Sequence, residues 1–178
     1  MSLFTATIAL GTFLILLGGL LVWNGQPVEQ QAKGLLRARI STVLLFGAGA
    51  LWFLYNVSNL GEADFGNIRH WLLLLFGGVA LGSFFVVKDF LAVRGLAILT
   101  LLISWQLLQA AYMEAPTSRL FLVTFVYLAI VIALYLGTVP FKLRDFFTWL
   151  FAHDTRPKVL GGCLVAYGLL LTTVAIAY

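Results

Sequence analysis

Apolar residues fall in six long runs, at residues 3–23, 40–57, 71–87, 95–112, 120–138 and 159–178. A helix needs about 17–25 residues to cross the hydrocarbon core of a bilayer, so every run is long enough. No Asp, Glu, Lys, Arg or His interrupts the interior of any of them. The runs are continuously apolar, whereas barrel strands alternate lipid-facing and lumen-facing residues. In lipid such a segment has to satisfy its own backbone hydrogen bonds, and a helix does so. The pattern predicts an all-α polytopic integral membrane protein: one transmembrane domain, residues 1–178, with six transmembrane helices in one bundle.

Two shorter segments have a different period. Between the fifth and sixth runs, Leu143, Phe146, Phe147, Leu150 and Phe151 recur at i, i+3, i+4, i+7 and i+8, the spacing of one helix face. Lys142, Asp145, Thr148 and Ala152 lie largely on the other side. This predicts an amphipathic helix over residues 140–152, flat in the headgroup layer with its rings toward the lipid. Pro140 suits its first turn, where a missing N–H costs nothing. Asp154 or Thr155 is expected to cap the last span ahead of Pro157. Residues 27–38 have a similar plan, with Val28, Ala32, Leu35 and Leu36 at helical spacing. Pro27 leads to Gly47 much as Pro140 leads to Gly161. Either an internal repeat or the ordinary recurrence of basic interfacial linkers accounts for that echo.

Composition narrows the class further. Of 178 residues, 62% are hydrophobic and 10% charged, too few charges to cover a soluble domain. The formal net charge of +4 has its source in the connections between runs. Lys33, Arg37, Arg39, Lys88, Arg94, Lys142, Arg144, Arg156 and Lys158 fall in the odd-numbered connections; only Arg69 and Arg119 fall in the even ones. Positive loops stay in the cytoplasm. The expected setting is therefore a cell inner membrane, with both termini outside and anionic lipid headgroups at the basic cytoplasmic rim. Trp23, Tyr55, Trp71, Tyr112 and Tyr178 stand near run ends, where amphipathic rings favour the interface. No soluble basic domain is present to bind nucleic acid. The first run lacks the basic start and small-residue cleavage site of a signal peptide, which reads it as a mature span. Cys163 is the only cysteine, so no internal disulfide forms.

Glycines mark candidate contacts between helices, because small residues let backbones approach closely in lipid. Gly78 and Gly82 form G-x-x-x-G in the third run; Gly47 and Gly49 lie in the second; Gly161, Gly162, Ala166 and Gly168 lie in the last. Packing within the bundle and a homodimer through the third run are both open. Gly78, Gly82, Phe146 and Trp149 are the candidate helix-packing or partner interface.

Chemistry is sparse. His70 and His153 fall at opposite ends of the bundle and cannot share a metal or haem. The acids near the basic rim, Asp89, Asp145 and Asp154, each have basic neighbours and read as ion pairs. Asp89 and Asp145 with Arg144 also allow a lipid-modifying enzyme at the inner face as a third reading. No phosphate loop or H-E-x-x-H motif is present; no catalytic residue, metal ligand or cofactor is expected. Near mid-membrane stand Thr12, Ser104, Trp105, Gln106, Tyr127 and Tyr167, with Gln109 one turn from Gln106. Buried amides and hydroxyls require partners. They serve either as hydrogen bonds between helices or as the lining of a small polar cavity.

The segments "KDFLAVRGLAIL" (88–99), "PFKLRDFFTWL" and "RPKVLGGCLVAYGLLL" resemble uncharacterised multi-span bacterial inner-membrane proteins. The basic amphipathic helix with its glycine-containing final span is also similar to small YjeT-like proteins of unknown function. The resemblance covers about a third of the chain and implies a bacterial inner membrane and no assigned activity. The expected function is a non-catalytic integral membrane protein, an accessory or scaffold subunit of a membrane complex with a protein partner or a second copy. The alternative is a small channel or carrier for a neutral solute or lipid.

Overall fold

A computed structural model describes residues 1–23, 28, 30, 34, 38–61, 64–86 and 90–178. Most of the expected interfacial helix at 27–38 lies outside the described residues. Among the described residues seven α-helices follow one another: α1 (Leu3–Trp23), α2 (Arg39–Ser58), α3 (Arg69–Val86), α4 (Leu91–Ala111), α5 (Arg119–Thr138), α6 (Phe141–Leu150) and α7 (Thr155–Ile176). All but α6 are long and apolar enough to cross a membrane. A single 3-10 turn, Gly66–Ile68, leads into α3. Ahead of it Asp64 and Gly66 both donate to Gly61 O, at 3.0 and 2.9 Å. A Cβ on Gly66 would lie 2.6 Å from that oxygen, so the turn requires a glycine there.

Several helices start before their apolar runs do. Arg39, Arg69, Arg94, Arg119 and Arg156 all lie within the first turn of a spanning helix. A cation at a helix N-terminus opposes the macrodipole by about 0.3–1 kcal/mol. Moving it to the bilayer centre costs about 2.5–3.5 kcal/mol on the insertion scale. The cost of leaving water outweighs the dipole, so each arginine stays at the membrane edge and the helix simply continues through it.

Two glycine-rich contacts organise the bundle. Along α1 the buried Thr7, Gly11, Leu14, Gly18 and Leu21 recur every three or four residues, averaging 3.5. Pro157, Gly161, Gly168, Leu171 and Ala175 do the same on α7, with the half-buried Leu164 filling the gap. A 3.5-residue repeat keeps one seam facing its partner as the helices wind left-handed around each other. Gly18 meets Gly161 and Gly11 meets Gly168, which makes the pair antiparallel. A Cβ on Gly18 would lie 2.5 Å from Gly161 O, and one on Gly168 would lie 2.7 Å from Gly11 O. Beside this seam, Thr7 Oγ1 donates to Leu3 O at 2.8 Å and lies 3.4 Å from Tyr178 Oη.

The second contact joins α2 and α4 in parallel. A Cβ on Gly95 would collide with the backbone nitrogen and Cα of Phe46, and one on Gly49 would lie 3.1 Å from Ile98 Cγ2. The antiparallel α3 packs on the other side of α2 through edge-to-face pairs, Phe46–Phe84 at 5.2 Å and Phe53–Phe76 at 5.1 Å. On α4's far side lies α5, with Ala97 3.9 Å from a Cβ on Gly137. Neighbours thus run α3–α2–α4–α5, with the α1–α7 pair set against α4 and α5.

The main core gathers where these groups meet. It contains Leu3, Ala6 and Leu14 of α1, Leu107, Ala110 and Ala111 of α4, Leu122 and Val126 of α5, and Leu171 of α7. Starts of α1 and α5 therefore stand beside the ends of α4 and α7. Spanning helices alternate in direction, and both termini lie at one end of the bundle. At the opposite end Leu91, Ala92 and Val93 are almost fully buried, as are Leu143 and Leu150 of α6.

Candidate functional site

The molecule offers two surfaces and one scattered group of polar residues. The first surface is α3. None of its residues is buried, and among the described elements its one main neighbour is α2. A Cβ added at Gly77, Gly78 or Gly82 meets nothing within 4 Å, in contrast to the jammed glycines of α1, α4 and α7. Gly78 and Gly82 do not pack inside the bundle; they open outward. Ser83, next to them, donates to Val79 O at 2.7 Å, so its hydroxyl is satisfied within the helix.

The second surface is α6. Its buried seam is Leu143 and Leu150, one heptad apart, with Phe147 half-buried between them. Phe146 lies 41% and Trp149 55% exposed, outside that seam. The two rings stack with centroids 6.0 Å apart. Arg156, from the first turn of α7, places its guanidinium carbon 4.6 Å from the centre of the Trp149 ring and donates Nη1–H to Trp149 O at 2.6 Å. The arginine thereby caps the last turn of α6 and pins its exposed tryptophan. Arg144 pairs with Asp145 at 3.0 Å and lies 5.8 Å from the centre of the Phe90 ring. The rings of α6 are therefore divided between the bundle and its surroundings, where the sequence put them all on one face.

Arg119 repeats the arrangement at the other end. It stands at the start of α5 and donates Nη1–H to Ala111 O, in the last residue of α4, at 3.2 Å and to Glu114 O in the connection that follows. The lone cation of that connection is thus a cap for the preceding helix. Of the two expected caps of α7, Thr155 is already the first residue of the helix, and Asp154 makes no side-chain cap bond. Its backbone is already right-handed helical, and such a residue does not turn its carboxylate back onto the first turn.

The mid-membrane polar residues are spread over several faces. Ser104 is buried, one heptad on from Ala97 along the α5-facing row. Trp105 and Tyr127 are exposed. Tyr167 Oη donates to Phe121 O at 2.8 Å, a bond between α7 and α5, and its ring lies 5.6 Å from that of Phe125. Gln106 is half-buried and Gln109 exposed, and neither amide has a hydrogen-bond partner among the described residues. The register of the α2–α4 pair, set by Phe46 with Gly95 and Gly49 with Ile98, places Gln106 level with Val57 at the end of α2. A cavity of about 360 Å3 opens at the start of α5, lined by Thr117, Ser118, Leu120, Phe121 and Thr124. None of the seven mid-membrane residues, the exposed Thr12 included, lines it.

Among the described residues no three of His, Cys, Asp and Glu gather within reach of one metal ion. Asp89 lies outside the described residues. Arg94 Nε is shut off from solvent with no acceptor among the described residues.

Sequence reasoning missed Gly11 and Gly18 as contact residues. Their seven-residue spacing, mirrored by Gly161 and Gly168, was the available signal. Gly47 and Gly161, the two ends of the suspected repeat, have different roles: Gly161 is jammed against Gly18, whereas a Cβ on Gly47 meets nothing.

Six apolar spans alternating through one helical bundle define a multi-pass membrane protein. No protein-family model, curated protein or solved structure matches the chain.

Proposed function

We propose that this chain is a non-catalytic accessory or scaffold subunit of a larger complex in a bacterial inner membrane, docking through α3. One observation carries the reading: α3 is a spanning helix with a single main neighbour among the described elements, no buried residue and an open glycine face. In lipid an exposed apolar surface is already solvated, so exposure alone drives no association. An open row of glycines differs, because it lets another helix approach to backbone contact. The orientation that fits the cation distribution puts the α6 end in the cytoplasm and both termini outside.

Native mass spectrometry of the gently extracted protein tests this. A reproducible protein partner is expected, and Gly78→Leu with Gly82→Leu should release it while the bundle stays folded. A dimer released by the same variant identifies a second copy as the partner. Retention of the partner by the variant overturns α3 as the docking face. Transport or catalysis by the isolated monomer in liposomes overturns the subunit reading.

A second reading, a carrier or channel for a neutral solute or lipid, is favoured by the amides of Gln106 and Gln109, which have no partner among the described residues. An amide facing lipid without a partner is costly. It predicts solute flux in liposomes that is lost in Gln106→Leu with Gln109→Leu; unchanged flux rules it out.

A further inference from the structure

The α6 elbow carries an arrangement that the docking proposal does not use. Only Val139 and Pro140 separate α6 from the end of α5, and residues 151–154 separate it from α7. Such short connections hold α6 at the level where two spans leave the hydrocarbon, which is the headgroup layer. Leu143 and Leu150 fix one side of the helix to the bundle. The exposed Phe146–Trp149 stack therefore faces outward at headgroup depth, where a ring with a polar edge is best placed. Cations flank it. Lys142 stands at one end of α6, with Nζ 5.8 Å from the centre of the exposed Phe141 ring. Arg156 lies over Trp149 at the other end, with the exposed Lys158 a half-turn beyond. Of the two acids nearby among the described residues, Asp145 is engaged by Arg144, and Asp154 is exposed.

We propose that the α6–α7 elbow is a binding surface for anionic phospholipid. Lys142 and Trp149 are seven helical residues apart, roughly 10 Å at the α-helical rise. One phosphate cannot bridge that gap, so the two cationic points take neighbouring headgroups of a leaflet rather than a single soluble phosphate. Phe146 and Trp149 rest against the upper acyl chains between them. A short amphipathic helix combining rings and cations binds an interface through apolar burial and charge attraction together. The surface marks the α6 end as the one that faces an anionic leaflet, and it is spatially independent of α3.

The test uses the full-length chain in nanodiscs of phosphatidylcholine doped with phosphatidylglycerol, with retained lipids counted by native mass spectrometry. The expected result is enrichment of phosphatidylglycerol over its bulk fraction. A near-surface cation contributes about fivefold to association with an anionic surface, so Lys142→Gln with Lys158→Gln should cut the enrichment by about tenfold or more. Lys142→Arg with Lys158→Arg should preserve it. Raising salt from about 0.05 to about 0.5 M should weaken it in the unmodified protein, which tests the electrostatic origin without any substitution. No enrichment in the unmodified protein, or enrichment unchanged by both the glutamine variant and salt, overturns the proposal. So does an acidic protein that copurifies, leaves with the glutamine variant and accompanies no lipid preference; it assigns the elbow to a protein partner.

Discussion

At the scale of single residues, adjacent glycines on the same helix behave oppositely. Gly18 and Gly161 press on each other's backbone, while a side chain at Gly19 or Gly162 meets open space. Leucine at any of the four gains the same helix propensity, up to about 1 kcal/mol. The difference between neighbours therefore isolates packing. Gly18→Leu should destabilise the bundle by about 3 kcal/mol or more, at the top of the usual overpacking range, because backbone cannot yield as a side chain does. Gly19→Leu should be neutral or stabilise by up to about 1 kcal/mol. Denaturation in detergent, followed by tryptophan fluorescence, checks the pair; equal effects would mean that α1 and α7 do not meet as described. The arginine caps allow a second measurement. Arg119→Met removes two charge-assisted bonds to carbonyls at and just after the end of α4 and should cost about 1–3 kcal/mol. Arg119→Lys should recover only part of the loss, because an ammonium lacks the guanidinium fork. A lysine variant no better than methionine would show that charge is irrelevant at this cap.

At the scale of elements, the six spans were legible because lipid imposes a single requirement, a continuous apolar helix, that any sequence must meet openly. The amphipathic helix after the fifth span was legible from its 3.6-residue period. Which of its rings face the bundle was not legible, because Leu143, Phe146, Phe147 and Leu150 share one face in sequence and only the contact with one end of the bundle divides them. Helix pairing was half legible. Gly161 and Gly168 stood out in a glycine-rich run, whereas Gly11 and Gly18 are ordinary-looking members of an apolar one, and their meaning lies in the match of two spacings. Nor could the sequence reveal that Gly78 and Gly82 lack a partner, since an open and a packed glycine read alike. Helix α6 makes its own prediction. Leu150 is 2% exposed, and Leu150→Ala should cost about 2–4 kcal/mol. The loss should be local, raising amide exchange through α6 while the spans stay protected. Trp149→Leu should leave that exchange nearly unchanged. A global loss of protection on Leu150→Ala would mean that α6 is part of the core rather than attached to it.

At the scale of the whole molecule, charge and packing specify different things. Packing alone sets the relative directions of the spans: antiparallel for α1 with α7, parallel for α2 with α4, antiparallel for α4 with α5. It says nothing about which end faces the cytoplasm, because turning the bundle over leaves every contact intact. Charge breaks that symmetry. The α6 end holds Arg39, Lys142, Arg144, Arg156 and Lys158, and the terminal end holds Arg69 and Arg119. Arg119 is engaged with carbonyls of its own chain. The bias predicts termini outside and α6 inside. Cys163, the only cysteine, is exposed, so Cys163→Ser gives a thiol-free background. On it, Ser2→Cys and Ala177→Cys should react with a membrane-impermeant maleimide on intact cells. Ala152→Cys, just past α6, should react only after permeabilisation. Equal labelling of Ser2→Cys and Ala177→Cys in either direction follows from the packing; labelling of one alone would break the alternation of spans itself. Labelling of Ala152→Cys alone on intact cells would keep the fold and invert the orientation. That outcome would also place the α6 elbow on the outer leaflet, so a single set of labelling reactions separates the consequences of packing from those of charge.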